Sequence, residues 1–512
     1  MSEAAASGSD AANRTMITVS ILLATIMTLL DSTIANVALP RMAGSLSASP
    51  DQISWVLTSY IVAAAIMTPM TGWLAGRLGA KQLFVISIIG FSAASALCGA
   101  SQTLGEIVVC RLLQGLFGAI MGPLSQMVLL DIYPIEQRGP VMSVWGMGTV
   151  MAPIVGPILG GWLTDDFNWR WVFYINLPVG VISLLGVLSF MPGGRQQRPR
   201  RFDGIGFALL SIALAAFQLM LDRGQNKDWF SSTEIVVEAS TAGLAFILFA
   251  FHMATSEHPF VPHELLRDRN FVVGSLVVMA LGFLMFSVLA ILPPMMESLL
   301  GYPVITTGMV MTPRGMGTML SIFIAGRIMG KVDDRLLMFV GLAFFSTAFW
   351  TMSHFSLQVE PQLIAGSGVI MGIGTGLIFM PTTLLAFATI DPALRGDAAG
   401  VSALLRNLGN SAGISVLEIM LTRNTQAVHS RLVETLTPDN PLARAPYLAR
   451  PFGFSSRLGL ASLDGEATRQ ASMVAYVDLF HAMMLASWIL IPLVLLMRPA
   501  KGVTVEEQVM LE

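Results

Sequence analysis

Apolar stretches separated by short polar links fill the chain from Met16 to Met497. Taking about 20 apolar residues as one crossing of a bilayer, the pattern predicts fourteen helical spans. They fall near 16–39, 53–75, 82–101, 104–131, 139–163, 170–191, 202–222, 233–253, 270–296, 304–329, 335–355, 362–390, 398–421 and 476–497. The first stretch is longer than a signal-peptide core of about 7–15 residues and lacks a clear cleavage site, so it reads as a span. Residues 1–15 are small and polar and read as a disordered tail, 498–512 as a second tail, and 422–475 as one long polar loop.

An internal repeat organises these spans. "GWLAGRLGAKQ" (Gly72–Gln82) follows the second span and "GRIMGKVDDRLL" (Gly326–Leu337) follows the tenth. Each is a glycine, a short helical stretch and then basic residues. Two six-helix bundles are therefore expected, 16–191 and 270–497, with helices 202–253 inserted between them. The 6 + 2 + 6 plan puts a site between parallel halves, as in many transporters.

Composition agrees with this picture. The chain of 512 residues is 54% hydrophobic and only 12% charged, against about 25% charged for an ordinary soluble domain. The net charge of −3 gives no electrostatic footprint for nucleic acid. Cys98 and Cys110 both lie in apolar spans, so neither a disulfide framework nor a metal cluster is implied. Arg14, Arg77, Lys81, Arg138, the Arg195–Arg201 cluster, Arg267, Arg269, Arg327, Lys331, Arg335, Arg395, Arg498 and Lys501 fall on one side of the spans. The short loops of the other side hold Arg41, Arg170, Arg223 and Lys227, and six more arginines lie in 422–475, sixteen cations against ten. That imbalance places both termini in the cytoplasm.

Charges inside spans are expensive and mark function by default. The cations are Arg111, Arg314 and Arg406; the one acid well inside is Asp31, with Asp222 and Glu418 nearer span ends. Span one runs outward and span four inward, and at 1.5 Å per residue Asp31 and Arg111 both lie roughly 10–12 Å below the outer surface. They can meet or share one water-filled cavity. A carboxylate there can carry a proton, with the guanidinium tuning it; the competing reading is a static structural pair. Gln114 and Gly115 follow Arg111 on the same helix face. Arg314, in "TPRGMG", and Arg406, in "LLRNLGNSAG", sit among glycines and can hold either an anionic substrate group or carbonyls of a neighbouring helix. In "WGMGTVMAPIVGPILGGW" (Trp145–Trp162), Gly148, Ala152, Gly156 and Gly160 recur every four residues and form a smooth stripe for close helix packing. Pro153 and Pro157 remove two backbone bonds and are expected to bend the span.

Other chemistries find no support. "GRIMGK" is one residue short of a phosphate loop and continues with Val332. GxSxG, HExxH and CxxC are absent, and the six histidines lack ligand spacing. The 33 methionines suit a pliable hydrophobic site, though lipid-facing filler accounts for most of them.

Five segments together resemble the major facilitator superfamily, in its fourteen-span drug:proton antiporter group of the EmrB/QacA type, and within it the EmrB-like exporters. They are "LDSTIANVALP" (Leu30–Pro40), "RLLQG" (Arg111–Gly115), "APIVGPILGGW" (Ala152–Trp162), "NWRWVFYINLPVG" (Asn168–Gly180) and "LMLDRGQNKDWFSS" (Leu219–Ser232). The resemblance spans nearly the whole chain. It implies an all-α integral membrane protein with the major facilitator fold, proton coupling through Asp31 assisted by Arg111, and no bound cofactor or ATP site. It assigns Gly148, Ala152, Pro153, Gly156, Pro157, Gly160 and Gly161 to an antiporter motif. Asn36, Gln114, Arg314, Arg406 and Asn407 are expected to line the substrate cavity. Gly72, Arg77, Gly79, Lys81, Gly326, Lys331, Asp333 and Arg335 are expected in cytoplasmic gating loops. Gly76 stands where the family usually has Asp, so the gating charge contact is expected to be absent or replaced; Asn407 stands where related exporters often have Gln. The relatives are bacterial inner-membrane pumps that work with a periplasmic adaptor and an outer-membrane channel, and 422–475 faces the side where such an adaptor would dock.

The expected function is export of hydrophobic toxic compounds. A dedicated exporter of an endogenous metabolite and a non-transporting sensor remain as alternatives. A membrane-embedded lipid enzyme would need a catalytic cluster near the interface, and none is expected here.

Overall fold

The computed structural model describes residues 2–193, 201–329, 331–437, 440, 454 and 456–498. The basic residues Arg195, Arg198 and Arg200 and all of the C-terminal tail beyond Arg498 lie outside the described residues. Fourteen long helices follow in order: α1 (Ser2–Ser45), α2 (Trp55–Leu78), α3 (Ala80–Ala100), α4 (Leu104–Ile132), α5 (Ile135–Asp166), α6 (Trp171–Phe190), α7 (Gly204–Arg223), α8 (Thr233–Thr255), α9 (Arg269–Leu299), α10 (Val304–Ile328), α11 (Asp334–Met352), α12 (Pro361–Ala388), α13 (Arg395–Thr435) and α14 (Arg457–Leu496).

Twelve of them are long and apolar enough to cross a membrane by hydropathy alone; the other two are α10 and α13. These two carry Arg314 and Arg406, and their polar and glycine-rich faces pack on other helices instead of lipid. A helix buried inside a bundle does not need the uniform apolar surface that bilayer contact demands.

Boundaries are set by local chemistry. Thr103 caps α4 in a reciprocal capping box with Glu106. Asp203 and Asp268 accept backbone N–H groups at the starts of α7 and α9. Gly79, at φ +84°, turns the chain between α2 and α3, a conformation open to glycine. Two segments expected to be irregular contain helix in their described parts. α1 reaches back through the N-terminal residues, where alanines favour helix. The 422–475 segment is a correction in its described part: α13 continues to Thr435, because no Gly or Pro interrupts the chain between Gly413 and Pro438, and α14 begins at Arg457 behind its cap Ser456. His429 on one helical extension meets Asp464 on the other at 3.0 Å.

Packing reproduces the repeat. In the first half α1 packs on α4, α5 and α6, α4 on α2 and α3, and α3 on α6. In the second half α9 packs on α12, α13 and α14, α12 on α10 and α11, and α11 on α14. Adding eight to each helix number converts one set into the other. The halves meet through α5 against α10 and α2 against α13, a pair of contacts related by the same shift. The inserted α7 and α8 form a hairpin whose α7 lies against both α2 and α13.

That seam is built from glycine. A methyl group added at Gly139 would lie 3.1 Å from the Gly326 carbonyl, and Gly146 faces Ile322. On the other crossing Gly396 lies against Gly72, and Gly400 against the carbonyl of Thr68. These contacts sit at the ends of α2 and α10 and the starts of α5 and α13, the face read as cytoplasmic.

Candidate functional site

Asp31 and Arg111 meet in the middle of the first half. Both are fully buried, and Arg111 Nη1 donates to Asp31 Oδ2 at 2.6 Å. The other carboxylate oxygen, Oδ1, accepts from Gln114 Nε2 at 2.8 Å and Asn176 Nδ2 at 2.7 Å. Arg111 Nη1 also donates to Gln114 Oε1, which fixes the orientation of that amide, and Arg111 Nε donates to the Val56 carbonyl. Its guanidinium carbon lies 4.3 Å from the centre of the Tyr60 ring and 5.7 Å from that of Phe173. Ser95 accepts from Gln114 and Asn176 and donates to the Phe173 carbonyl.

Six side chains from α2, α3, α4 and α6 thus gather around one carboxylate of α1. A desolvated ion pair is weak evidence of stability, because desolvation offsets most of its Coulomb energy. Its value lies in the directional hydrogen bonds, three of them donated to Asp31. Both carboxylate oxygens are engaged by these donors.

Gln114, expected at the cavity wall, is a member of this buried network. Asn36 is exposed on α1, five residues beyond Asp31. Arg314 is half-buried on α10 and donates to the Met285 carbonyl at 3.1 Å; Arg406 and Asn407 are half-buried on α13. Asp222 accepts a hydrogen bond from Thr58, joining α7 to α2, and Glu418 is exposed on α13.

The antiporter-motif glycines divide by direction. Gly148 faces Leu22, Gly156 faces Thr33 and Gly160 faces Ile34, all on α1, with Ala152 buried in the same stripe. Gly161 points into open space. α5 runs as one helix through Pro153, half-buried, and Pro157, exposed. The repeat recurs here: Gly409 and Gly413 of α13 lie against the carbonyls of Met279 and Phe283 on α9.

Of the expected gating residues, Gly72 and Gly326 lie in the seam itself. Arg77 stacks over Trp73, Lys81 donates to the Leu188 carbonyl, Lys331 is exposed, and Asp333 caps α11 through the Arg335 N–H. A charge contact does cross the seam at this face: Arg395, the first residue of α13, donates to Asp131 at the end of α4 at 2.6 Å. Sequence reading counted Arg395 as a loop cation and passed over Asp131.

Asn176, Ser95 and Tyr60 were also missed. Asn176 is a lone amide in an apolar span and could have been flagged on cost alone. Ser95 gives no such signal, since small hydroxyl residues are common between membrane helices. Asn176→Ala is expected to destabilise the protein by about 1–3 kcal/mol by removing a donor from a buried carboxylate. Thermal unfolding in detergent checks this, and an unchanged midpoint would show that the Asn176 bond contributes nothing.

Comparison with known proteins gives this geometry a context. The family model of the Major Facilitator Superfamily matches residues 21–414. The multidrug export protein EmrB of Escherichia coli K12 is 35% identical over 478 residues, covering 92% of this chain and 93% of that protein. The fatty acid resistance protein FarB of Neisseria gonorrhoeae is 34% identical, covering 94% and 96%. Among solved structures, the proton:xylose symporter XylE superposes with a TM-score of 0.61 at 15% identity, covering 98% of this chain and 99% of that one; it shares the fold. The chain belongs to the Major Facilitator Superfamily, in its EmrB-like group of multidrug exporters.

Proposed function

We propose that this multi-pass transporter is a proton-driven antiporter that exports hydrophobic toxic compounds, with Asp31 as the proton-carrying group. The observation that carries the reading is the Asp31 network: a buried carboxylate on α1 held by donors from α4 and α6, whose hydrogen bonds break whenever those helices shift against α1. Protonation weakens the bond to Arg111, and movement of α1 against α4 weakens it from the other direction. Coupling is this reciprocity. The glycine seam, closed at the face read as cytoplasmic, supplies the second state in which the cavity must open the other way.

The remaining parts of the reading follow. The energy source is the proton gradient, so no bound cofactor is needed. The membrane is the bacterial inner membrane with both termini cytoplasmic, consistent with the basic loops. The helical extensions of α13 and α14 project from the opposite face, where a periplasmic adaptor leading to an outer-membrane channel would dock. EmrB and FarB are named for multidrug export and fatty acid resistance, and both suit hydrophobic cargo.

Inverted membrane vesicles with an acid interior and a pH-quenched dye test the proposal. Addition of transported compounds is expected to release protons from vesicles holding the wild-type chain and not from empty ones. Silence across a broad hydrophobic panel would overturn multidrug antiport in favour of a dedicated exporter.

A further inference from the structure

The second half contains two cations that the proton site does not use. Arg314 on α10 reaches the Met285 carbonyl of α9 with Nη2, while its Nη1 is buried without a hydrogen-bond partner. Arg406 on α13 makes no hydrogen bond or ion pair among the described residues, and its carbonyl lies against Gly282 of the same α9. Gly282 and Met285 are three residues apart, roughly 4.5 Å along the helix. Two arginines from different helices therefore flank one turn of α9.

Their surroundings are free of anions. No carboxylate among the described residues acts on either guanidinium. Two more buried polar atoms lie on the same helix faces with nothing to bond: Thr307 Oγ1, seven residues before Arg314, and Asn410 Oδ1, four after Arg406. α10 and α13 are the helices of this half that form the seam, and Gly315, next to Arg314, touches Ile154 of α5. Arg314 thus sits next to the contact of α10 with α5, and Arg406 lies on the helix that makes the other crossing between the halves.

We infer that Arg314 and Arg406 form an anion subsite of the transport cavity, which receives the ionised carboxylate of an amphipathic substrate while its hydrophobic body lies along the neighbouring apolar surfaces. The inference rests on the export reading and narrows it: the favoured cargo is a hydrophobic acid in its charged form. A carboxylate is the group that supplies two acceptor oxygens to two guanidiniums. Neutral cargo would leave both charges as they are.

The test is equilibrium binding to the purified full chain in phosphatidylcholine nanodiscs, without a gradient, using radiolabelled 1-naphthoate and its neutral analogue 1-naphthamide. The wild type is expected to prefer the anion by about tenfold or more. Arg314→Gln and Arg406→Gln are each expected to abolish that preference while leaving naphthamide binding unchanged, and Arg406→Lys to retain most of it. Equal affinity of the wild type for the two probes would overturn the inference. So would an equal loss of both probes in the Gln variants, which would make the arginines structural. Loss of naphthoate binding in nanodiscs containing phosphatidylglycerol would assign the subsite to a lipid phosphate and overturn it as well. Asp31→Asn is expected to keep the anion preference, so failure of proton coupling and failure of this subsite give different results.

Discussion

Vesicles holding Asp31→Asn are expected to release no protons in response to compounds that release them from wild type, at matched expression and with compound binding retained. Asparagine keeps the shape and can still accept from Arg111, but it cannot take up a proton. The variant Asp31→Ala carries the structural penalty too. Like Asp31→Asn, it leaves Arg111 as an uncompensated buried charge, at a cost of about 3–5 kcal/mol, and it removes the acceptor as well. The doubly neutral Asp31→Asn, Arg111→Gln variant separates the two roles: it should recover much of the lost stability and none of the coupling. Proton release from Asp31→Asn at the wild-type level would make the network structural and turn attention to Asp222 and Glu418.

The second large effect concerns Gly156. A side chain there collides with Thr33, two residues beyond Asp31 on α1. Even Gly156→Ala forces a shift of α1 or α5, at about 1–3 kcal/mol for overpacking. Gly156→Leu is expected to abolish transport, because the shift carries Asp31 away from Arg111 and Asn176. Gly161→Leu is the control, with open space around it; it should stay within about 0.5 kcal/mol of wild type. Transport assays and thermal unfolding read both variants. Equal damage from Gly161→Leu would show that the motif acts through something other than its contact with α1.

The spans and the repeat were legible because a bilayer imposes length and hydropathy on each helix separately. Asp31 and Arg111 were legible because charge in hydrocarbon is costly and both lie at one depth. The other members of the site were not. Ser95 and Tyr60 matter through their positions on neighbouring helices, which hydropathy does not encode. The depth argument placed Gln114 on the correct face of α4 but could not tell a cavity wall from a closed network. The Asp131–Arg395 pair joins residues 264 apart, each of which reads in isolation as a helix-end charge. The continuous α13 was hidden for another reason: polar helix outside the membrane and polar loop share a hydropathy, and only the missing Gly and Pro distinguish them.

The inserted hairpin has a mechanical meaning. Near the face opposite the glycine seam, Asp222 of α7 is bonded to Thr58 of α2, and the Leu221 carbonyl accepts from Ser415 of α13 at 2.9 Å. One helix is thereby fastened to both halves at the face opposite the seam. Such a strap limits how far the rims can spread, so it sets the stroke of the pump and the girth of molecule that can pass. The range of cargo is then a property of α7 as well as of the pocket walls.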